Sequence, residues 1–132
     1  MNTKIKIAIN GFGRIGRNLF RLLLDHPTIE VVAVNDIADA RTMAHLIKYD
    51  SIHGILPYEV SHTEDSLIIN GKSFPFLRKK SVADINWKTF DTDIVIECTG
   101  KHKTLEDANQ HIASGAKRVI LSAPPEDDRI KT

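Results

Sequence analysis

Gly11-Phe12-Gly13-Arg14-Ile15-Gly16 carries the first chemical signal in this 132-residue chain. The three glycines fall in a G-x-G-x-x-G pattern. Alone that pattern is weak, because glycine-rich turns are common; it gains meaning between a strand and a helix. In that setting Gly11 permits a tight turn. Gly13, without a Cβ, lets the backbone approach a diphosphate, and Gly16 lets the helix pack on the strand. The amides of Arg14 and Ile15 are then free donors at the positive end of a helix dipole. The competing reading is a structural βα turn without a ligand. Asp36 lies 20 positions past Gly16. A carboxylate there accepts hydrogen bonds from ribose hydroxyls and repels a 2′-phosphate, which favours NAD over NADP. Its alternative is an Asx turn at a strand end.

Other candidates are less specific. Asn10 and Asn35 each close a predicted strand; either they bond across the carboxyl ends of a sheet and shape a pocket, or they form turns. Thr99, Gly100 and Ser122 end later strands, where ligands of open α/β sheets bind, though each type is also common in plain turns. Cys98 ends the apolar run Ile94-Val95-Ile96-Glu97-Cys98 with no evident base beside it, and reads as a small buried hydrophobe rather than a nucleophile. The six histidines show no metal-ligand spacing. Arg78-Lys79-Lys80 is either a solvated charge run or a flank for adenine or phosphate.

The elements that must position these residues follow from periodicity. Lys4–Asn10, with Ile5, Ile7 and Ile9, predicts a strand. From Arg14 the apolar residues recur at helical spacing through Leu24, and His26-Pro27 stops that helix. Ile29–Val34 is apolar nearly throughout, as suits a parallel strand covered on both faces. Strand, helix and strand occupy about 30 residues, the size of one βαβ unit. Asp39–Lys48 predicts a helix that buries Met43, Ala44, Leu46 and Ile47, and residues 50–57 a loop. Tyr58–Val60, Ser66–Ile69 and Lys72–Phe76 predict short antiparallel strands, with Asn70-Gly71 as a type I′ turn. Ser81–Trp87 predicts a helical turn packed by Val82, Ile85 and Trp87. Ile94–Cys98 and Val119–Ser122 read as strands. Between them lies a helix over Leu105–Ser114, capped by Thr104 and closed by Gly115. The expected fold is α/β: a Rossmann-type, doubly wound, mainly parallel sheet with a small antiparallel hairpin insertion.

Bulk properties fit one domain of an ordinary globular class: 42% hydrophobic, 27% charged. Eighteen basic and 17 acidic residues leave a net charge of +1, without the basic excess of a nucleic-acid binder. Cys98 is the only cysteine, so no internal disulfide forms and a reducing compartment is expected. No apolar run approaches the roughly 18 residues of a membrane helix, and the first nine residues are too short for a signal peptide. The sequence therefore predicts a cytoplasmic protein with neither membrane nor nucleic acid as partner.

Several blocks together are more specific than any one of them. They are Ile9-Asn10-Gly11-Phe12-Gly13-Arg14-Ile15-Gly16-Arg17, Val34-Asn35-Asp36, Tyr49-Asp50-Ser51-Ile52-His53-Gly54, Glu97-Cys98-Thr99-Gly100 and Ser122-Ala123-Pro124. In order and spacing the chain resembles the phosphorylating glyceraldehyde-3-phosphate dehydrogenases of glycolysis over essentially its whole length. The resemblance implies an NAD site in which Arg14 and Ile15 offer amides to the diphosphate and Asp36 holds the adenosine ribose. Lys80 would lie near the adenine; counting back from Trp87 and Glu97 favours it over Arg78. Thr99 and Gly100 would line the groove, and Ser122 would face the nicotinamide side. His102 stands where the family often has an aromatic residue.

The family chemistry so implied has two stages: a cysteine thiolate attacks the aldehyde with hydride passing to nicotinamide, then phosphate attacks the thioester. The family's nucleophile lies in a Ser-Cys-Thr-Thr-Asn-Cys-like block beyond Ser-Ala-Pro, and no such block precedes Thr132. The resemblance thus implies that residues 1–132 are a truncated NAD-binding domain, its last strand and closing helix missing. The catalytic domain is absent, so small-molecule substrate is met only in the full-length enzyme. The family forms homotetramers. For the isolated chain the expectations are no turnover, and weak NAD affinity or self-association. Two alternatives stand beside this reading: a stand-alone dinucleotide-binding module, and the same portion of an erythrose-4-phosphate dehydrogenase.

Overall fold

The computed structural model describes residues 4–50, 54–99 and 105–122. The first unit is β1 (Ile5–Asn10), α1 (Arg14–Leu23) and β2 (Ile29–Asn35), followed by α2 (Ala40–Lys48). Next come β3 (Tyr49–Asp50), β4 (Gly54–Ile55), β5 (Val60–Thr63), β6 (Ser66–Ile69) and β7 (Lys72–Leu77). Two 3₁₀ turns, Val82–Asp84 and Trp87–Phe90, lead to β8 (Ile94–Glu97), α3 (Leu105–Ala113) and β9 (Arg118–Leu121). Thr104, expected to cap α3, lies outside the described residues.

Seven strands form one sheet in the order β5-β6-β7-β2-β1-β8-β9. β7, β2, β1, β8 and β9 run parallel, whereas β5 and β6 are antiparallel to their neighbours. The Rossmann-type α/β expectation holds, with one refinement. The antiparallel hairpin is not a separate insertion. Its last strand, β7, is also the third parallel strand, pairing Val34 with Phe76 and Asn35 with Leu77. Asn70 and Gly71 both take positive φ, 51° and 81°, as a type I′ turn requires.

Among the departures from expectation, two concern residues 49–63. The first hairpin strand is Val60–Thr63 rather than Tyr58–Val60, because the turn to β6 puts Thr63 opposite Ser66 and Val60 opposite Ile69. Ser61, His62 and Thr63 are exposed on an outer strand, and such polar edges lack the apolar alternation that marks a strand. The span 50–57, read as a loop, contributes a two-residue ladder in which Tyr49 faces Ile55 and Asp50 faces Gly54. Arg21 secures this corner. Its guanidinium donates to the carbonyls of Ile47, Lys48 and Gly54, serving the orphan acceptors at the end of α2.

Alternation along the strands separates two cores. Ile7, Ile9, Val31, Val34, Phe74 and Phe76 point to one face, where they pack with Phe20 of α1 and with Ala40, Met43, Ala44 and Ile47 of α2. Leu46, expected with the last group, is only partly buried. Ala8, Ala33 and Val95 point to the other face, against Ile85, Trp87 and Ala116. β2 carries one extra residue: the register passes from Ile7↔Val31 to Ala8↔Ala33. That bulge brings Asn10 opposite Asn35.

Candidate functional site

After β1 the chain adds β2 and β7 on one side of it and β8 and β9 on the other. The gap beyond the carboxyl ends of β1 and β8 is therefore the topological switch point, where open α/β sheets bind ligands. A cleft lies there, lined by Asn10, Gly11 and Gly13 from the glycine turn and by Asn35 and Asp36 from the end of β2. Lys79, Lys80, Cys98 and Thr99 complete its polar rim, and Ile37, Val82 and Ile85 its apolar part.

The glycine turn is built by contact. Gly11 has φ +101°, and a Cβ on it would stand 2.7 Å from Thr99 N. A Cβ on Gly16 would stand 2.2 Å from Gly11 O, so α1 packs directly on the turn. Gly13 is different: a Cβ there would meet nothing within 4 Å. The Arg17 guanidinium donates to Phe12 O at 3.0 Å, bracing the loop.

α1 begins at Gly13 without a side-chain cap and without an acidic residue in its first turn. α2 in the same protein is capped, Asp39 accepting from Thr42 N at 2.7 Å. The opening of α1 thus presents unmatched amides and a positive dipole end beside open space. A diphosphate suits that donor set. Arg14 and Ile15, exposed in this first turn, are outside the cleft lining but carry these amides.

Asp36 forms the Asx turn and also lines the cleft. Its Oδ1 accepts from Ala38 N at 3.0 Å, the Asx turn, while Oδ2 accepts from Phe12 N at 2.6 Å. The carboxylate thereby ties the end of β2 to the glycine turn, and it still lines the cleft.

Asn10 and Asn35 do bond across the sheet. Asn35 Nδ2 donates to Asn10 Oδ1 at 2.7 Å and to Lys79 O at 3.0 Å, while Asn35 Oδ1 accepts from Lys79 N. Asn10 Nδ2 donates onward to Glu97 Oε1 at 2.7 Å. Glu97 is 2% exposed, and every partner points a donor at it. Thr99 N and Thr99 Oγ1 both donate to Oε2, at 2.9 and 2.5 Å. His111 Nε2 lies 2.8 Å from Oε1. Trp87 Nε1, a donor only, lies 3.0 Å from His111 Nδ1. Nδ1 must therefore accept, and Nε2 carries the hydrogen. Burial pushes the Glu97 carboxyl up, but the hydrogen bonds from His111, Thr99 and Asn10 outweigh it and hold the group below its ordinary range.

Glu97, His111 and Trp87 were not singled out in the sequence as site residues. One signal was available: an acidic residue inside an apolar strand covered on both faces must find partners. Cys98 is half-buried in the cleft wall. Desolvation pushes its thiol up and the Glu97 charge adds to this, against a hydrogen bond with Ser122. That is the setting of an inert thiol, not of an activated nucleophile. Ser122 lies off the cleft, its N donating to Glu97 O at 3.0 Å. Gly100 lies outside the described residues.

Comparison with known proteins agrees with this geometry. Residues 5–105 match the family described as glyceraldehyde 3-phosphate dehydrogenase, NAD binding domain. The glyceraldehyde-3-phosphate dehydrogenase of Streptomyces coelicolor is 54% identical over 127 residues, covering 96% of this chain and 38% of the relative. That of Geobacillus stearothermophilus is 50% identical over 126 residues with the same coverage. The Thermotoga maritima enzyme is 45% identical over 127 residues. The chain thus spans less than two-fifths of the length of these relatives. It belongs to the glyceraldehyde-3-phosphate dehydrogenase family and corresponds to that family's NAD-binding domain.

Proposed function

We propose that this chain holds NAD in the switch-point cleft for the oxidative phosphorylation of glyceraldehyde 3-phosphate to 1,3-bisphosphoglycerate in glycolysis. The observation that carries the reading is the uncapped start of α1, open at Gly13, beside a cleft that ends at Asp36. In this assignment the Arg14 and Ile15 amides hold the diphosphate, with Gly11, Gly13 and Gly16 shaping the turn. Asp36 accepts from the adenosine ribose, and Lys80 flanks the adenine. Asn10 and Asn35 set the floor. Thr99 and Gly100 line the path toward the nicotinamide, with Ser122 on that side. When bound, NAD supplies the hydride acceptor. These residues position it and exclude misaligned approach.

The thiolate that such chemistry needs is not Cys98, whose thiol burial pushes up. Residues 1–132 therefore serve as the cofactor domain, and the catalytic domain of the working enzyme, a cytoplasmic homotetramer, supplies nucleophile and base. The test is calorimetric titration of the chain with NAD and with NADP, alongside an assay with aldehyde, NAD and phosphate. NAD bound in preference to NADP, with no NADH formed, is the expected result. Equal affinity for both dinucleotides overturns the role of Asp36, and NADH formation above a cofactor-only blank overturns the division of labour.

A further inference from the structure

We propose that Glu97 is a positioning residue for the cofactor cleft, setting the spacing between its two lips, and that His111 and Trp87 hold it in register. This rests on the NAD reading of the cleft and adds residues that lie behind its wall. The two lips are the glycine turn after β1 and the Cys98-Thr99 turn after β8. They touch closely: the backbone of Thr99 leaves no room for a Cβ on Gly11. The backbone joins them once, Cys98 N donating to Asn10 O at 2.7 Å. Glu97 adds a side-chain tie, taking Asn10 on one carboxylate oxygen and both Thr99 donors on the other.

The geometry needs a carboxylate. With His111, four donors converge on two oxygens, the full acceptor capacity of the group. A glutamine of the same shape would turn an NH₂ toward two of those donors, whichever way it flipped. The imidazole is equally constrained. Trp87 donates to Nδ1, so Nε2–H is directed at Glu97. Trp87 and His111 are fully buried and stand outside the cleft lining. The polar route from His111 to the cleft runs through Glu97, and its other partner, Trp87, packs in one cluster with Ile85 of the lining.

The lips bear unequally on two ligands. AMP needs the Asp36 and Lys80 end; NAD must also lie across the glycine turn and Thr99. The experiment is calorimetric titration of the full 132-residue chain with NAD and with AMP, for wild type, Glu97→Gln and His111→Gln, with circular dichroism to confirm folding. Expected are NAD affinity at least tenfold weaker in Glu97→Gln, AMP affinity within twofold of wild type, and a smaller loss of the same pattern in His111→Gln. If NAD and AMP fall together, or neither changes while only the melting temperature drops, Glu97 is structural and the proposal is overturned. Should Glu97→Gln not fold, His111→Gln decides alone, and an unchanged NAD-to-AMP ratio there overturns it. A wild-type chain that binds neither ligand instead overturns the cofactor reading on which this one rests.

Discussion

On one face of the sheet Phe12, Phe20, Phe74 and Phe76 meet edge to face, with ring centroids 4.9–6.4 Å apart, among the side chains of α1 and α2. On the other face Ala8 and Ala33 leave room for Trp87, and the strands end in Asn35, Asn10 and Glu97. The first face is broad and apolar. Its contribution grows with area removed from water and depends little on any one hydrogen bond. The second is narrow and holds a buried carboxylate, whose donors must sit in set directions or the burial is costly. Apolar packing tolerates small shifts of position; a saturated carboxylate does not. The face with less apolar burial is therefore the one suited to fixing the shape of the cleft.

Breaking the apolar face should give the largest effect. Phe20 is fully buried between Phe12 and Phe74, and Phe20→Ala should cost about 3–5 kcal/mol in urea unfolding. Among molecules still folded, the ratio of NAD to AMP affinity should not move. A changed ratio would mean that the two faces are not separable. Gly16→Ala probes their junction. The new Cβ would meet the Gly11 carbonyl, which is backbone and cannot swing aside. We expect NAD affinity to fall by roughly tenfold or more, about 1.4 kcal/mol per decade, and an unchanged titration would show that α1 can back away from the turn.

Asp36→Ala comes next. It removes a carboxylate that lines the cleft and frees Phe12 N. The preference for NAD over NADP should collapse to near parity, read by titrating both dinucleotides. A preserved preference would assign discrimination elsewhere in the cleft.

The smallest effect concerns pH. Glu97 is held below its ordinary range when folded, so protonation is harder in the folded chain than in the unfolded one. Its stabilising share is complete above the ordinary carboxylate range and is lost as pH falls through the depressed folded value. The stability gap between wild type and Glu97→Gln should thus narrow only in acid, in denaturant melts run across pH. A gap that closes on the alkaline side instead would contradict the hydrogen-bond assignment.

Much of the first βαβ unit was legible because its signals are local. The glycine spacing, the helical recurrence after Arg14, the apolar run from Ile29 and the Asn70-Gly71 turn each act over a few residues. The pairing of Asn10 with Asn35 was also within reach, since both close strands of one unit. β5 was harder, because a polar edge strand has no apolar rhythm to read. The chain from Glu97 to His111 to Trp87 was hidden for another reason. Its members lie on a strand, a helix and a 3₁₀ turn, and only packing of α3 over the second face brings them together.

The amino-acid order alone determined the glycine turn at Gly11–Gly16, the acidic residue that follows β2, and the family to which both point, because backbone freedom and short-range periodicity are written residue by residue. Only the tertiary structure decided that β7 serves hairpin and parallel sheet at once, that a bulge in β2 sets Asn10 against Asn35, and that Glu97 joins the two lips of the cleft. Register and side-chain direction depend on how whole elements pack, and a one-residue shift reverses which face a side chain meets.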